Sequence, residues 1–285
     1  MGHHRKNSVV GIGTALVVAV TLLVAGCTRS IPVAEPTTAA PSTAAPDSST
    51  SLGGSTAAPT TATPVPPRPV VRGIAENLAS VPLPAIAAAT KRGGTSNPVR
   101  PVDEEPLTSD GKPEVLYVGA EFCPYCAGER WAMVVALSKF GTFSGLTTIH
   151  SSEGDVPTLS FLDATYSSEF VSFNPIELQG QDREPLEEAT EAERALFERL
   201  GRGGFPFIDF GGTAVQSGGS VDVTNLIDRD PEEIAATLAA STDSDTDPTS
   251  LEGNVNAVAG GFITTICGLT GDQPAEVCAA FDTTI

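Results

Sequence analysis

The chain of 285 residues is strongly acidic: 35 Asp and Glu stand against 16 Lys and Arg, for a net charge of −19 at pH 7. Such a charge repels the phosphates of nucleic acids and of anionic membrane surfaces, and the sequence has no basic patch interleaved with aromatic residues. We therefore expect no nucleic-acid partner. The length suits one domain of ordinary size with additional segments.

The N-terminus has the pattern of an export signal. The basic segment MGHHRK precedes an apolar run over residues 9–25, and LVAGC follows, with small residues directly before Cys27. This pattern resembles the signal peptide of bacterial lipoproteins, which implies cleavage after residue 26 and a diacylglycerol on the Cys27 sulfur. The alternative is an uncleaved membrane anchor, since about 17 apolar residues are the lower limit for a span. Both interpretations place the rest of the chain at the extracytoplasmic face of the cell membrane.

Residues 27–70 form a segment of biased composition. After Cys27 they are almost all Thr, Ser, Ala, Pro and Gly, with no aromatic side chain and little charge. Such a segment cannot bury a core, so we expect a disordered linker. As a flexible coil it spans roughly 35 Å on average, which suits a tether between a membrane and a domain.

Residues 71–285 are predicted to form one domain of helices and strands. Residues 72–90 indicate one or two short helices broken at prolines, PEVLYVGAE (113–121) indicates a buried strand, and CPYCAGERWAMVVALSKFG indicates a helix closed by Gly141. The patterns that follow indicate three strands (146–152, 158–166 and 171–178), a helix (184–201), a strand–turn–strand unit (205–219), a helix that starts at an Asp–Pro cap (230–239) and a long final helix (251–269).

The predicted export determines how the cysteines are interpreted. Lipidation of Cys27 leaves four others, and an even number in an oxidising compartment favours disulfides. Three pairings are possible, and the spacing favours Cys123 with Cys126 and Cys267 with Cys278. The second pair encloses a short loop with Gly and Pro after the final helix. We interpret it as a structural disulfide, and a redox relay with the first pair is the alternative.

The position of Cys123 predicts a reactive thiolate. If Cys123 is the helix N-cap, Pro124 occupies the first helical position, where its missing N–H is harmless. An N-cap side chain accepts hydrogen bonds from the next amides and faces the positive end of the helix dipole, so the pKa of Cys123 should be lowered. Cys126 lies one turn along the helix and should be less exposed. This asymmetry predicts that Cys123 attacks a substrate and Cys126 resolves the mixed disulfide.

Two other interpretations of the CPYC motif are a metal site and a redox-inert disulfide. Structural zinc requires four ligands, and Cys267 and Cys278 are not in a zinc-knuckle spacing. His150 stands alone in a strand pattern and is interpreted as an ordinary strand residue. We therefore expect no metal and no cofactor, while the inert disulfide stays an alternative.

Two segments resemble the thioredoxin superfamily. VGAEFCPYC resembles the strand-to-helix junction that carries the thioredoxin active site, and GGFPFIDF resembles the loop that carries the family's cis-proline, here Pro206. Residues from about 70 to 285 also resemble, as a whole, a family of exported thioredoxin-like proteins of unassigned function.

This resemblance implies an α/β thioredoxin-like fold with a helical insertion between the CxxC helix and the cis-proline loop, and with helical extensions at both ends. It also implies substrate contacts at Tyr125, Phe205 and Pro206, with the Phe205 backbone free to pair with an extended peptide. The alternatives are a Tyr125 that is merely exposed and a Pro206 that is an ordinary strand-edge proline. One position departs from the family: Tyr117 stands where thioredoxins carry a buried carboxylate.

Two hypotheses of function follow from these patterns. The first is a membrane-anchored, extracytoplasmic thiol–disulfide oxidoreductase, a monomer that uses Cys123 and Cys126 on exported protein thiols or on a membrane redox partner. The second is a non-catalytic lipoprotein binding module that has a thioredoxin-like fold and structural disulfides.

Overall fold

The structure is a computed structural model that describes residues 72–281. The predicted signal peptide (1–26), the predicted lipidation site Cys27 and the predicted linker (27–70) lie outside the described residues. Within residues 72–281, no helix combines the length and the apolar character that are needed to cross a bilayer.

The described residues fold into both helices and strands. The helices are α1 (Arg72–Ser80), α2 (Leu83–Arg92), α3 (Pro124–Leu137), α4 (Glu191–Gly201), α5 (Pro231–Ala239), α6 (Leu251–Thr270) and α7 (Ala275–Cys278), and a short 3-10 helix covers Val223–Asn225. The strands are β1 (Arg100–Pro101), β2 (Thr108–Ser109), β3 (Lys112–Gly119), β4 (Gly141–Ser144), β5 (Thr147–His150), β6 (Pro157–Ser160), β7 (Thr165–Ser168), β8 (Ser172–Glu177), β9 (Phe207–Phe210) and β10 (Ala214–Ser217). The domain is therefore of the mixed α/β class, as the sequence predicts.

A six-stranded mixed sheet organises the domain. Its strands follow the order β1, β10, β9, β3, β2, and β8 pairs with β3 in addition. β3 runs parallel to β8 and antiparallel to β9. It is buried from Glu114 to Gly119, which suits its nearly continuous apolar run. The register places Gly119 opposite Glu177, so the ends of β3 and β8 lie side by side at the edge where the CPYC motif follows.

Helix α3 is buried on almost all sides. Every residue from Cys126 to Leu137 is buried, because the helix packs against α1, α6 and β6. Trp131 belongs to the main hydrophobic core, and its indole N–H donates a hydrogen bond to the carbonyl of Pro157 at 3.0 Å. The polar atom of this ring is therefore satisfied inside the core.

The segment between α3 and Pro206 contains the predicted helix, as α4, and strands before it. It forms two small antiparallel sheets, β4 with β7 and β5 with β6, before β8 joins the main sheet. The helix predicted over residues 184–201 starts only at Glu191. The residues before it are extended, because the amides of Leu186 and Glu187 donate to carbonyls at the end of β8. Thr190 then starts the helix as its N-cap, with a reciprocal capping box.

The CPYC helix also ends earlier than the sequence predicts. It stops at Leu137, and Gly141 opens β4 instead of closing the helix. A Cβ atom at Gly141 would lie 2.4 Å from the carbonyl oxygen of Ser167. The glycine is therefore required by the close approach of β4 and β7 rather than by a helix terminus.

Helices flank the sheet at both ends of the described chain. α1 and α2 confirm the two short helices expected before the first strand, and the break falls at Pro82. Asp230 caps α5 through its side chain, as predicted. α6 packs against α2 and α3, so the N-terminal and C-terminal helices cover the CPYC helix together.

A disulfide closes the C-terminal end of the described chain. It joins Cys267, in the last turn of α6, to Cys278 in α7, with the two Cα atoms 5.6 Å apart. This confirms the predicted pair. Cys123 and Cys126 are free thiols in this structure.

The variant Cys267→Ser/Cys278→Ser is expected to lose about 2–3 kcal/mol of unfolding free energy, because the bridge removes the entropy of a short open loop from the unfolded chain. Chemical denaturation of the two proteins measures the loss. The alkylation rate of Cys123 serves as the control and should not change. A changed rate would show that the two cysteine pairs are coupled, as in a redox relay, and would contradict a purely structural disulfide.

Candidate redox site

The CPYC motif forms the beginning of α3, with Cys123 as the N-cap residue. Cys123 has extended backbone dihedrals (φ −80°, ψ 121°), and Pro124 occupies the first helical position. The amide of Cys126 donates a hydrogen bond to the Cys123 sulfur at 3.3 Å. This is the N-cap geometry that the sequence predicts for a stabilised thiolate.

The two thiols of the motif differ in acidity. The pKa of Cys123 is lowered to about 7, chiefly by a hydrogen bond from the Cys126 thiol, and further by the amides of Cys126 and Tyr125 and by the charge of Arg130. Burial, and then the neighbouring Cys123, raise the pKa of Cys126 well above its ordinary value. Cys123 is 5% exposed, whereas Cys126 has no exposed surface. The arrangement therefore favours Cys123 as the nucleophile and Cys126 as the protonated partner.

An apolar cluster surrounds the two sulfurs. Ala120 and Phe122 pack with the cysteines, and Phe205 packs against them from the loop before β9. The rings of Phe122 and Phe205 meet edge to face, with centroids 6.1 Å apart. The peptide bond between Phe205 and Pro206 is cis, and Pro206 is buried while Phe205 is half-buried. The fold thus brings the predicted Phe-Pro loop to the CPYC motif.

Tyr125 presents an exposed ring at this end of α3, with 56% of its surface accessible. Its Cβ lies 3.1 Å from where a Cβ on Gly219 would stand, so Tyr125 contacts the loop that follows β10. Glu129, on the next turn of α3, binds the same loop through the amides of Ser220 at 2.8 Å and Val221 at 3.3 Å. Burial raises the pKa of Glu129 to about 6, against the effect of these bonds. The loop beside Tyr125 is therefore attached to α3.

A fully buried ion pair joins α3 to β8. Nε and Nη2 of Arg130 donate to the two carboxylate oxygens of Glu177 at 2.9 and 2.7 Å, and Nη2 also donates to the carbonyl of Ala120 at 3.1 Å. Neither charged side chain is exposed. Arg130 lowers the pKa of both cysteines of the CPYC motif, while Glu177 raises that of Cys126. The ion pair therefore places two opposite charges near the sulfurs, and the two charges shift the pKa of Cys126 in opposite directions.

Sequence reasoning gives no expectation of this ion pair, although one signal for it exists. Glu129 and Arg130 stand in an otherwise apolar helix, and a helix that is apolar on all sides is buried. Charges on a buried helix require partners. The identity of the partner of Arg130 depends on the pairing of β8 with β3, which residue spacing does not reveal.

A family model described as a domain of unknown function (DUF929) matches residues 99–199 of the chain. No curated protein and no solved structure matches it. The matched range includes the CPYC motif, Arg130 and Glu177, whereas Phe205 and Pro206 lie beyond it. The match therefore covers the cysteine motif and the buried ion pair, and it assigns no reaction to them.

Charged residues form the rim of the site next to Phe122. The guanidinium carbon of Arg183 lies 4.0 Å from the centre of the Phe122 ring, and Arg183 forms an ion pair with Glu153. The amide of Glu153 donates to the carbonyl of Phe122 at 3.1 Å. A cation above the ring and these bonds together fix the residue that precedes Cys123.

His150 lies on β5, where it is exposed and its Nδ1 is 2.9 Å from the carboxylate of Asp155. Within residues 72–281, no group of three or more His, Cys, Asp and Glu side chains is arranged to hold a metal ion. His150 therefore has a strand position, and it is not part of the apolar cluster around the cysteines.

Proposed function

We propose that this protein is a thioredoxin-like thiol–disulfide oxidoreductase, held at the extracytoplasmic face of the cell membrane by lipid on Cys27. Its partners are exported protein thiols or a membrane redox partner. One observation carries the proposal: Cys123 is the N-cap of the CPYC helix, its sulfur accepts a hydrogen bond from the amide of Cys126 at 3.3 Å, and the Cys126 thiol lies fully buried beside it.

The proposed exchange has two balanced steps. The Cys123 thiolate attacks one sulfur of a substrate disulfide, and the other substrate sulfur leaves as a thiolate and takes up a proton. Cys126 then releases its proton and attacks the Cys123 sulfur, which forms the Cys123–Cys126 disulfide and frees the first substrate sulfur as a thiol. Two electrons pass to the substrate. The reverse sequence oxidises a substrate dithiol, and the potential of the partner decides the direction.

The order of the elements supports the thioredoxin-like assignment. β3 leads into the CPYC helix, β8 pairs parallel with β3, and β9 with β10 forms an antiparallel pair on the other side of β3. Helix α6 follows these strands and packs against α3. Pro206 directly precedes β9, as the loop proline does in the family that the sequence resembles.

The surface around Cys123 suits an extended substrate segment. Tyr125 offers an exposed ring, and Phe205 packs against the cysteine cluster. Among the described residues, no backbone hydrogen bond uses the amide or the carbonyl of Phe205. These two groups are therefore available to pair with the main chain of a bound peptide, in the manner of strand addition.

A trapping experiment with the full-length Cys126→Ser variant tests the function. Without Cys126 the mixed disulfide on Cys123 cannot be resolved, so we expect covalent adducts with exported proteins that disappear on reduction. The matched control carries Cys123→Ser as well and should form none. Non-reducing gels of the membrane fraction count the adducts, and mass spectrometry identifies the partners.

Two results would contradict different parts of the proposal. Equal adducts in both variants, or none in either, would favour the non-catalytic binding module with structural disulfides. Recovery of the protein outside the membrane fraction would contradict anchoring through Cys27 and would leave the chemistry of Cys123 untouched.

A further inference from the structure

Cys126 has to react from a fully buried position. It has no exposed surface, and burial together with the neighbouring Cys123 raises its pKa well above the ordinary value. The resolving step of the proposed exchange nevertheless requires a thiolate at Cys126, because the protonated thiol is a poor nucleophile. A buried thiolate is stable only where hydrogen-bond donors or positive charge replace water.

Two buried donors close to one another have no hydrogen-bond partner among the described residues: the Tyr117 hydroxyl and Nη1 of Arg130. Both side chains are fully buried, and buried donors in folded proteins are nearly always paired. Arg130 uses Nε and Nη2 on Glu177 and Ala120, which leaves Nη1 unused. Its guanidinium carbon lies 5.8 Å from the centre of the Tyr117 ring, so the two donors belong to one cluster.

The fold brings this cluster to the Cys126 thiol, because Arg130 donates to the carbonyl of Ala120, and Ala120 packs with Cys126. The Tyr117 hydroxyl forms no bond of regular geometry with this thiol, yet the pKa of Tyr117, raised mainly by burial, also responds to Cys126 as a charge and as a hydrogen-bonding group. The charge of Arg130 lowers the pKa of Cys126, and Glu177 and Cys123 oppose it. Because the pKa of Tyr117 is raised, its hydroxyl keeps the proton and serves as a donor rather than a base.

Strand β3 makes room for the Tyr117 hydroxyl. Tyr117 and Gly119 project from the same face of the strand, since successive side chains alternate. A Cβ atom on Gly119 would lie 2.1 Å from the Tyr117 oxygen. The absence of a side chain at Gly119 therefore lets the tyrosine extend along the strand toward the turn that leads into the CPYC motif.

We propose that Tyr117 and Arg130 form a donor pair that stabilises the Cys126 thiolate during the resolving step. This inference rests on the oxidoreductase function proposed above. Cys126 releases its proton and attacks the Cys123 sulfur of the mixed disulfide. The bond between Cys123 and the substrate sulfur breaks, and that sulfur leaves with the electron pair and takes up a proton. Tyr117 donates a hydrogen bond to Cys126 while the sulfur is charged and keeps its own proton throughout.

The test follows both thiols with dithionitrobenzoate, a disulfide that releases a coloured thiolate. In the reduced full-length chain with Cys27→Ala, the first release reports attack by Cys123 and the second reports attack by Cys126. The variant Tyr117→Phe removes one oxygen atom. We expect its second release to be about tenfold slower, the usual effect of losing one hydrogen bond to a charged group, and its first release to be unchanged.

A purely structural role of Tyr117 would change different quantities. Because its hydroxyl is buried without a partner, Tyr117→Phe should keep or raise the midpoint of denaturation. Tyr166→Phe is the matched control. The Tyr166 hydroxyl donates to the carbonyl of Leu137 at 2.9 Å, so its loss should lower the midpoint and leave both releases unchanged.

The pKa of Cys126 gives a readout that does not depend on turnover. In a Cys123→Ser background, alkylation of Cys126 should follow a pKa about one unit higher when Tyr117 is replaced by phenylalanine. An unchanged pKa together with an unchanged second release would overturn the donor pair. A parent protein that never shows the second release would instead contradict the oxidoreductase function, and the pKa of Cys126 would still decide the role of Tyr117.

Discussion

Replacing Cys123 with serine is expected to abolish disulfide exchange, a loss of about a thousandfold or more, because the variant lacks the attacking sulfur. The Cys123 thiol, with a pKa of about 7, is substantially ionised at neutral pH, whereas a serine hydroxyl stays protonated. The rate of reduction of a disulfide-containing peptide by the full-length protein, with dithiothreitol as the electron source, measures the loss. The Cys267→Ser/Cys278→Ser variant is the matched control and should retain the rate of the parent.

The pH dependence of Cys123 alkylation is the second readout for this prediction. Alkylation of Cys123 in the reduced protein should rise with pH through a midpoint of about 7, below the value of about 8.5 for a free cysteine. In the Cys126→Ala variant, which has no side-chain donor at this position, the midpoint should rise, because the hydrogen bond from the Cys126 thiol is the largest cause of the low pKa. A midpoint near that of a free cysteine in the parent, with full exchange activity left in Cys123→Ser, would refute the assignment of Cys123 as nucleophile.

The features that could be predicted from sequence depend on residues that are neighbours along the chain. Cys123 caps α3 and Pro124 follows it because capping and the fixed φ of proline act within one helical turn. Asp230 starts α5 for the same local reason. The disulfide between Cys267 and Cys278 also follows from a short separation along the chain. In each case, the residues that determine the feature are close in sequence.

The parts that could not be predicted depend on long-range pairing. The amides of Leu186 and Glu187 bind to the end of β8, so a stretch with helix-forming composition is extended there. Arg130 meets Glu177 because β8 lies beside β3, although 47 residues separate the two side chains along the chain. The burial of the Tyr117 hydroxyl without a partner likewise depends on the positions of Gly119 and the CPYC helix in the folded chain. Tertiary contacts override local preference at these positions.

The ion pair between Arg130 and Glu177 gives the second large expected effect. Arg130→Met keeps the aliphatic stem of the side chain and removes its charge, which leaves the fully buried Glu177 carboxylate without this guanidinium. We expect a loss of about 3–5 kcal/mol of unfolding free energy, since removing one member of a buried pair leaves a charge in a medium that solvates it poorly. Chemical denaturation measures the loss.

Two further variants separate charge burial from simple packing. Arg130→Met combined with Glu177→Met should recover most of the lost stability, because apolar side chains of similar volume replace a buried ion pair at little cost. Arg229→Met is the matched control on an exposed pair, where Nη1 of Arg229, just before α5, lies 3.1 Å from a carboxylate oxygen of Glu233. It should cost less than about 1 kcal/mol. A loss of equal size at both sites would contradict the electrostatic account.

The double variant Arg130→Met/Glu177→Met should recover most of its stability, but the reactivity of its two cysteines should stay altered. Because the charge of Arg130 lowers the pKa of Cys123, the alkylation midpoint should move above about 7 when that charge is absent, even in a stably folded protein. The resolving step should slow as well, because Arg130 also lowers the pKa of Cys126, and removal of Glu177 compensates only part of this effect. A double variant that matched the parent in both quantities would show that the guanidinium only fills and connects the interior. A stable double variant with slow resolution would show that the charge is retained for the chemistry of the two sulfurs.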